Sequence, residues 1–273
     1  MAPRLGVSRG VAGFLLAVFV GSWAAWLLAD AGAGFAHSHG AKVLRLAGYV
    51  VPAVAAVWCT WKEAGGPALR EWIASGLSAR RLTLRGWAVA LLLMPGLLWA
   101  AAAIAARLDG SAWPRWEFSQ VWQLGPVTAL IAWIISPLCE ELGWRGYAFR
   151  HLQTHLGPLR AALLAGALHA IWHLPLVLLP GGPLHGIAPW SAQLWLLMTG
   201  IVLFGVLAAA LFNAQRYSVL AVTVLHGSMN AAGSLLAPGS DTALCRVLLL
   251  AAAVLALVAA TRARLFATRQ LDP

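Results

Sequence analysis

Eight apolar runs, each close to the thickness of a bilayer when helical, leave this chain little choice of fold. They lie at roughly 11–29, 43–61, 86–106, 121–139, 159–180, 191–213, 216–236 and 243–261. A helix needs about 20 apolar residues to cross the hydrocarbon core. None of the runs alternates with period two, so helices rather than a closed barrel must satisfy the backbone in lipid. The expectation is all-α: a polytopic integral membrane helical bundle of about eight transmembrane helices, one membrane-embedded domain over 1–273. Composition agrees, since 61% of the 273 residues are hydrophobic and 10% charged, against about 25% charged in soluble domains. The first run is longer than a signal-peptide core and no small-residue cleavage site cleanly follows it, so it reads as the first span.

The formal net charge of +10 would point to nucleic acid in a soluble protein. Here the basic residues sit mostly between apolar runs, where they set topology and meet anionic lipid, so the bilayer and not nucleic acid is the expected partner. With a cytoplasmic N-terminus and eight spans, 13 basic residues fall on the cytoplasmic side and five opposite, with Arg145 set apart. That asymmetry predicts both termini in the cytoplasm. Seventeen arginines against two lysines, in an alanine-rich chain, point to a GC-rich bacterial gene and hence to a bacterial cell membrane. The segment Pro67 to Arg85 is too polar to span, yet Leu69, Trp72, Ile73 and Leu77 recur at helical spacing. It reads as an interfacial amphipathic helix. Cys59, Cys139 and Cys245 fall in or beside apolar runs and imply no disulfide framework.

Against this background the polar residues of SPLCEELGWRGYAFRHLQTHLGPLRAALLAGALHAIWHLP, Ser136 to Pro175, stand out. Ionisable groups at membrane depth are expensive and mark function by default. Glu141 and Arg145 are spaced i,i+4 and can pair. Glu140 points about 100° away and has no partner in its own helix on this reading, which suits it to take a proton from water. The alternative is that Glu140, Glu141 and Arg145 cap a helix near the membrane surface. His169 and His173 share one face of the fifth span. In LHGSMN, His226 and Asn230 repeat the four-residue spacing, and an imidazole with an amide can donate to a developing oxyanion. Interhelical hydrogen bonding alone, worth about 0.6 kcal/mol on average, is the plainer reading of that pair.

EELGWRG, then HAIWHLP about 20 residues later, then LHGSMN, resemble the three motifs of the CAAX-protease and bacteriocin-processing (CPBP, or Abi) family of intramembrane proteases. That pattern is Glu-Glu-x-x-x-Arg, Phe-x-x-x-His and His-x-x-x-Asn or Asp, and it spans roughly Pro137 to Asn230 in a motif-bearing core of about 121–237. The resemblance implies that Glu140 activates water with help from His173. Glu141 and Arg145 would support the first motif, and His226 with Asn230 would stabilise the oxyanion. His169 stands where the family usually has Phe, which makes it a supporting residue or an extra ligand.

Members are often labelled metalloproteases, and Glu140, His173 and His226 could supply three ligands of a catalytic Zn with water as the fourth. The family's prenyl endopeptidases have instead been read as glutamate-dependent without metal. No His-Glu-x-x-His motif occurs, which inclines the reading toward metal-free water activation. The function expected is that of a CAAX prenyl endopeptidase-like enzyme cutting a membrane-associated protein or peptide. In a bacterium, bacteriocin-like peptides, leaders or membrane regulators are more plausible substrates than prenylated proteins. A different class remains open: a non-catalytic immunity or binding protein that uses the same cavity.

Overall fold

The computed structural model describes residues 5–32, 38–180, 182, 184–237 and 241–265. Arg4 and Arg269, used in the topology count, lie outside these residues. The long helices, numbered here in chain order, are α1 (Leu5–Ala29), α2 (His39–Gly76), α3 (Leu84–Asp109), α4 (Pro126–Leu156), α5 (Pro158–Leu178), α6 (Ala192–Ala214), α7 (Val219–Leu235) and α8 (Ala243–Thr261), and a five-residue helix, Gln120–Leu124, precedes α4. Seven are long and apolar enough to cross a membrane, and α7, at 17 residues, is the shorter eighth. Among the described residues the one sheet is a two-residue antiparallel pair, Arg115 opposite Ala237 and Trp116 opposite Leu236.

Local sequence explains the boundaries. The side chains of Ser38, Thr83, Ser191 and Ser218 each accept a hydrogen bond from a backbone N–H of the first turn of α2, α3, α6 and α7, as N-caps do. Gly-Pro pairs open α4 and α5: Gly125 and Gly157 take φ of 83° and 74°, and Pro126 and Pro158 begin the helices with the fixed φ that suits a first turn.

Three boundaries differ from the sequence expectation. The helix expected over Pro67 to Arg85 is present but shorter: it continues α2 beyond a kink at Gly65 (φ 79°) and stops at Gly76. Arg80 and Arg81 follow in a 3₁₀ turn and Leu84 already belongs to α3. The run expected at 121–139 begins later, at Pro126, and continues to Leu156. Glu140 and Glu141 therefore sit near the middle of α4 and not at its edge. Hydropathy falls there, but the charges are matched within the bundle, so the helix has no reason to end.

Helices α5 and α6 are the most buried of the seven long spans, and α8, followed by α1 and α2, is the least. Small residues let α5 and α6 approach: a Cβ on Gly205 would stand 3.2 Å from the Gly166 Cα and 3.4 Å from an Arg145 nitrogen. Close contact through small residues is how membrane helices associate without a hydrophobic drive, and here it also leaves room for a guanidinium.

Candidate active site

Helix α4 is not a regular α-helix. Its stretches Ile131–Ile135 and Leu142–Phe149 are π-helical and flank the α-helical segment Ser136–Glu141 on both sides. Wider turns of this kind shift the helix phase and free carbonyls, and they recur at functional sites. Two side chains use them. Trp72 Nε1 donates to the Gly146 carbonyl at 3.3 Å, and Asn230 Nδ2 donates to the Ala132 carbonyl at 2.9 Å.

Six of the seven residues singled out by sequence join a single hydrogen-bond network, and the seventh, Asn230, docks beside it. Glu140, Glu141, Arg145, His169 and His226 are all buried. Glu140 is held at both oxygens: Ser136 Oγ donates to Oε1 at 2.7 Å and His169 Nε2 approaches Oε2 at 3.1 Å. The expectation that Glu140 lacks a partner in its own helix is thereby corrected, because Ser136 sits one turn earlier on the same face. Glu141 Oε1 receives both Arg145 Nη1 at 2.9 Å and His226 Nδ1 at 2.8 Å. The guanidinium also lies 5.3 Å from the centre of the Phe204 ring, which meets His226 edge-on at 5.2 Å.

These partners fix the imidazole tautomers. Arg145 Nη1 lies 3.4 Å from His169 Nδ1, and a guanidinium can only donate. His169 Nδ1 therefore accepts, and Nε2 carries the proton given to Glu140. His173 Nδ1 meets the His169 carbonyl at 2.9 Å; a carbonyl can only accept, so Nδ1 is protonated and Nε2 presents a lone pair. By the same logic His226 donates through Nδ1 to Glu141 and keeps a lone pair on Nε2.

Several residues that complete the site carry no signal in an apolar sequence. Trp144, fully buried, stacks on His169 at 4.7 Å between ring centroids, 24° from parallel. A Cβ on Gly227 would collide with the Trp133 carbonyl, so glycine lets α7 dock on the π turn of α4. Ser234 completes that contact, receiving Trp133 Nε1 at 3.3 Å and donating to the Asn230 carbonyl at 2.8 Å. For Ser136 a signal does exist, its i−4 spacing to Glu140.

Among the described residues, the group whose donor atoms converge enough to hold a metal is Glu140, His169 and His173, within 4.8 Å of one another. His226 is not in that group. The bonding pattern does not fit zinc well: His169 spends its lone pair on Arg145 and its proton on Glu140, leaving two free ligand groups where catalytic zinc takes three.

Residues 121–232 match the family model described as type II CAAX prenyl endopeptidase Rce1-like. Over 222 residues, covering 79% of this chain and 81% of the relative, the protein is 25% identical to a CAAX prenyl protease 2 of Methanococcus maripaludis. The matched span contains all seven of the residues singled out by sequence.

Proposed function

We propose that this chain, an intramembrane protease similar to the CAAX prenyl endopeptidases, hydrolyses a peptide bond with a water activated by Glu140. One observation supports this above the others. Glu140 is pinned by Ser136 and His169, and His173, which donates Nδ1–H to the His169 carbonyl and so keeps a lone pair on Nε2, converges on the same carboxylate. A water between that carboxylate and that lone pair would have two acceptors for its protons.

In the proposed reaction the water oxygen attacks the carbonyl carbon as Glu140 takes one of its protons. The C–N bond then breaks as that proton passes to the leaving nitrogen, which regenerates the carboxylate and yields a free acid and amine. His226 and the remaining N–H of Asn230 face the oxyanion. His226 serves once Nε2 is protonated, and Glu141, balanced by Arg145, lies against Nδ1 to support that cation. Burial strengthens these interactions, since charges in a low-dielectric site act more strongly than in water. No step passes through a metal.

The substrate proposed is a membrane-associated protein or peptide. The name of the Methanococcus relative puts prenylated C-terminal peptides among those to try, alongside bacteriocin-like peptides and their leaders. With both termini on the cytoplasmic side, the site would be served from the cytoplasmic leaflet. The test is cleavage of membrane-anchored peptides by the protein in proteoliposomes. Turnover by the wild type and none by a folded His173→Ala variant is expected. An active His173→Ala variant overturns the assignment, and a wild type that binds such peptides without cutting them transfers the site to a docking function.

A further inference from the structure

A concavity of about 660 Å³ opens at one end of the bundle, and none of the residues assigned to hydrolysis lines it. Its size is that of ordinary small-ligand sites. It is walled by the kinked end of α2, the 3₁₀ turn before α3, the last turns of α4 and the loop joining α6 to α7. Those are places where the chain leaves or re-enters its apolar spans, which is the level of the lipid headgroups.

Three arginines from three of these elements meet there. Arg81 Nη1 donates to the Arg216 carbonyl at 2.6 Å, and the Arg150 guanidinium lies 5.4 Å from the centre of the neighbouring Tyr217 ring. None of the three forms an ion pair with a carboxylate among the described residues. Glu63, which lines the same cleft, is taken up by Tyr147, whose hydroxyl donates to it at 2.5 Å, and by His151 at 3.6 Å. The arginines thus gather like charge without a carboxylate paired to them among the described residues.

The turn that gathers them is held in an unfavourable conformation. Arg216 and Tyr217 have φ of 56° and 61°, a region that side-chain-bearing residues rarely occupy and that persists at binding sites. It is over-determined. Tyr217 N–H donates to Phe212 O at 2.8 Å, Thr83 N–H to Gln215 Oε1 at 2.9 Å, and Asn213 Nδ2 to Gln153 Oε1 at 3.0 Å.

We propose that this cleft binds the phosphodiester of a membrane lipid headgroup. Guanidinium forks match phosphate oxygens in pairs, and basic pockets between membrane helices take such headgroups. Glu63 and Glu71 line the same cleft and would repel a headgroup bearing several phosphates, so a single phosphodiester fits best. The proposal is independent of the hydrolytic reading.

Native mass spectrometry of the full chain in detergent tests it, with didecanoyl phosphatidylglycerol, didecanoylglycerol and inorganic phosphate as separate probes. Phosphatidylglycerol should bind at least about tenfold more tightly than the diacylglycerol that lacks phosphate, and more weakly as salt rises. Arg150→Gln with Arg216→Gln should lose at least about tenfold in affinity, while Glu71→Gln keeps it. Should the double variant not fold, Arg81→Gln and Arg150→Gln singly should each weaken binding severalfold. Unchanged binding by these variants, or equal binding of diacylglycerol, overturns the proposal. Inorganic phosphate binding as tightly as the lipid overturns the lipid assignment in favour of a free-anion site.

Discussion

His169 joins Glu140 to Arg145 across two helices: its Nε2–H donates to the carboxylate at 3.1 Å while its Nδ1 accepts from the guanidinium at 3.4 Å. A phenylalanine, usual at this position in the family resembled, could make neither bond. This chain has thus linked the acid assigned to water activation with the ion pair beside it, and stacked the link on Trp144.

His169→Phe should therefore lower kcat by about 10–100-fold, the usual range for losing an orienting partner, with KM little changed. His169→Gln, whose amide can donate to Glu140 and accept from Arg145, should recover most of the rate. Steady-state kinetics of both variants in proteoliposomes checks this. Two variants equally impaired in both constants would contradict the positioning role.

The Glu141–Arg145 pair is 0% and 3% exposed at its side chains, so breaking it strands a charge. Arg145→Gln should destabilise the protein by about 3–5 kcal/mol. Adding Glu141→Gln should restore part of that loss, because the stranded carboxylate is gone. Thermal unfolding of the two singles and the double forms the cycle, and strictly additive losses would contradict the coupling.

Much of this site is legible in the sequence because charge and imidazole are conspicuous in apolar helices. Glu140, Glu141, Arg145, His169, His173, His226 and Asn230 all stand out on residue type and spacing alone. The spacing i,i+4 correctly joins Glu141 to Arg145. It cannot join His226 to Glu141, 85 residues away. Hydropathy ends the fourth run near Glu140 because it counts each charge alone, whereas the fold cancels Glu141 against Arg145 and gives it a hydrogen bond from His226. Trp144 and Gly227 are invisible for the opposite reason: tryptophan and glycine are common in these helices, and only packing shows which ones touch the site. The π turns of α4 carry no local signature at all.

Gly227→Ala tests one of those hidden contacts. Its added methyl meets the Trp133 carbonyl, and backbone cannot swing aside as a flexible side chain can. We expect a loss of about 1–3 kcal/mol, as for other overpacked positions, together with reduced turnover as α7 lifts from α4. Unfolding and activity measured on the same preparation check it; a variant as stable and active as wild type would place α7 further from α4 than described.

Metal removal should have little effect. With His169 committed to Arg145 and Glu140, activity is expected to survive dialysis against 1,10-phenanthroline within about twofold, since fewer than the three free ligands of catalytic zinc remain. Loss of activity that added zinc restores would contradict the bonding pattern assigned to His169.

The central claim rests on one carboxylate, and Glu140→Gln isolates it. The amide is isosteric, its oxygen can accept from His169, and its NH₂ can donate to Ser136, so the fold should persist. New peptide termini should be compared, by mass spectrometry of membrane and secreted fractions, in cells expressing wild type or Glu140→Gln at matched levels. The account predicts termini that arise only with the wild type, and a loss of at least about 10²-fold in their yield, the lower range for removing a general base. The same termini at the same abundance in both strains would contradict it.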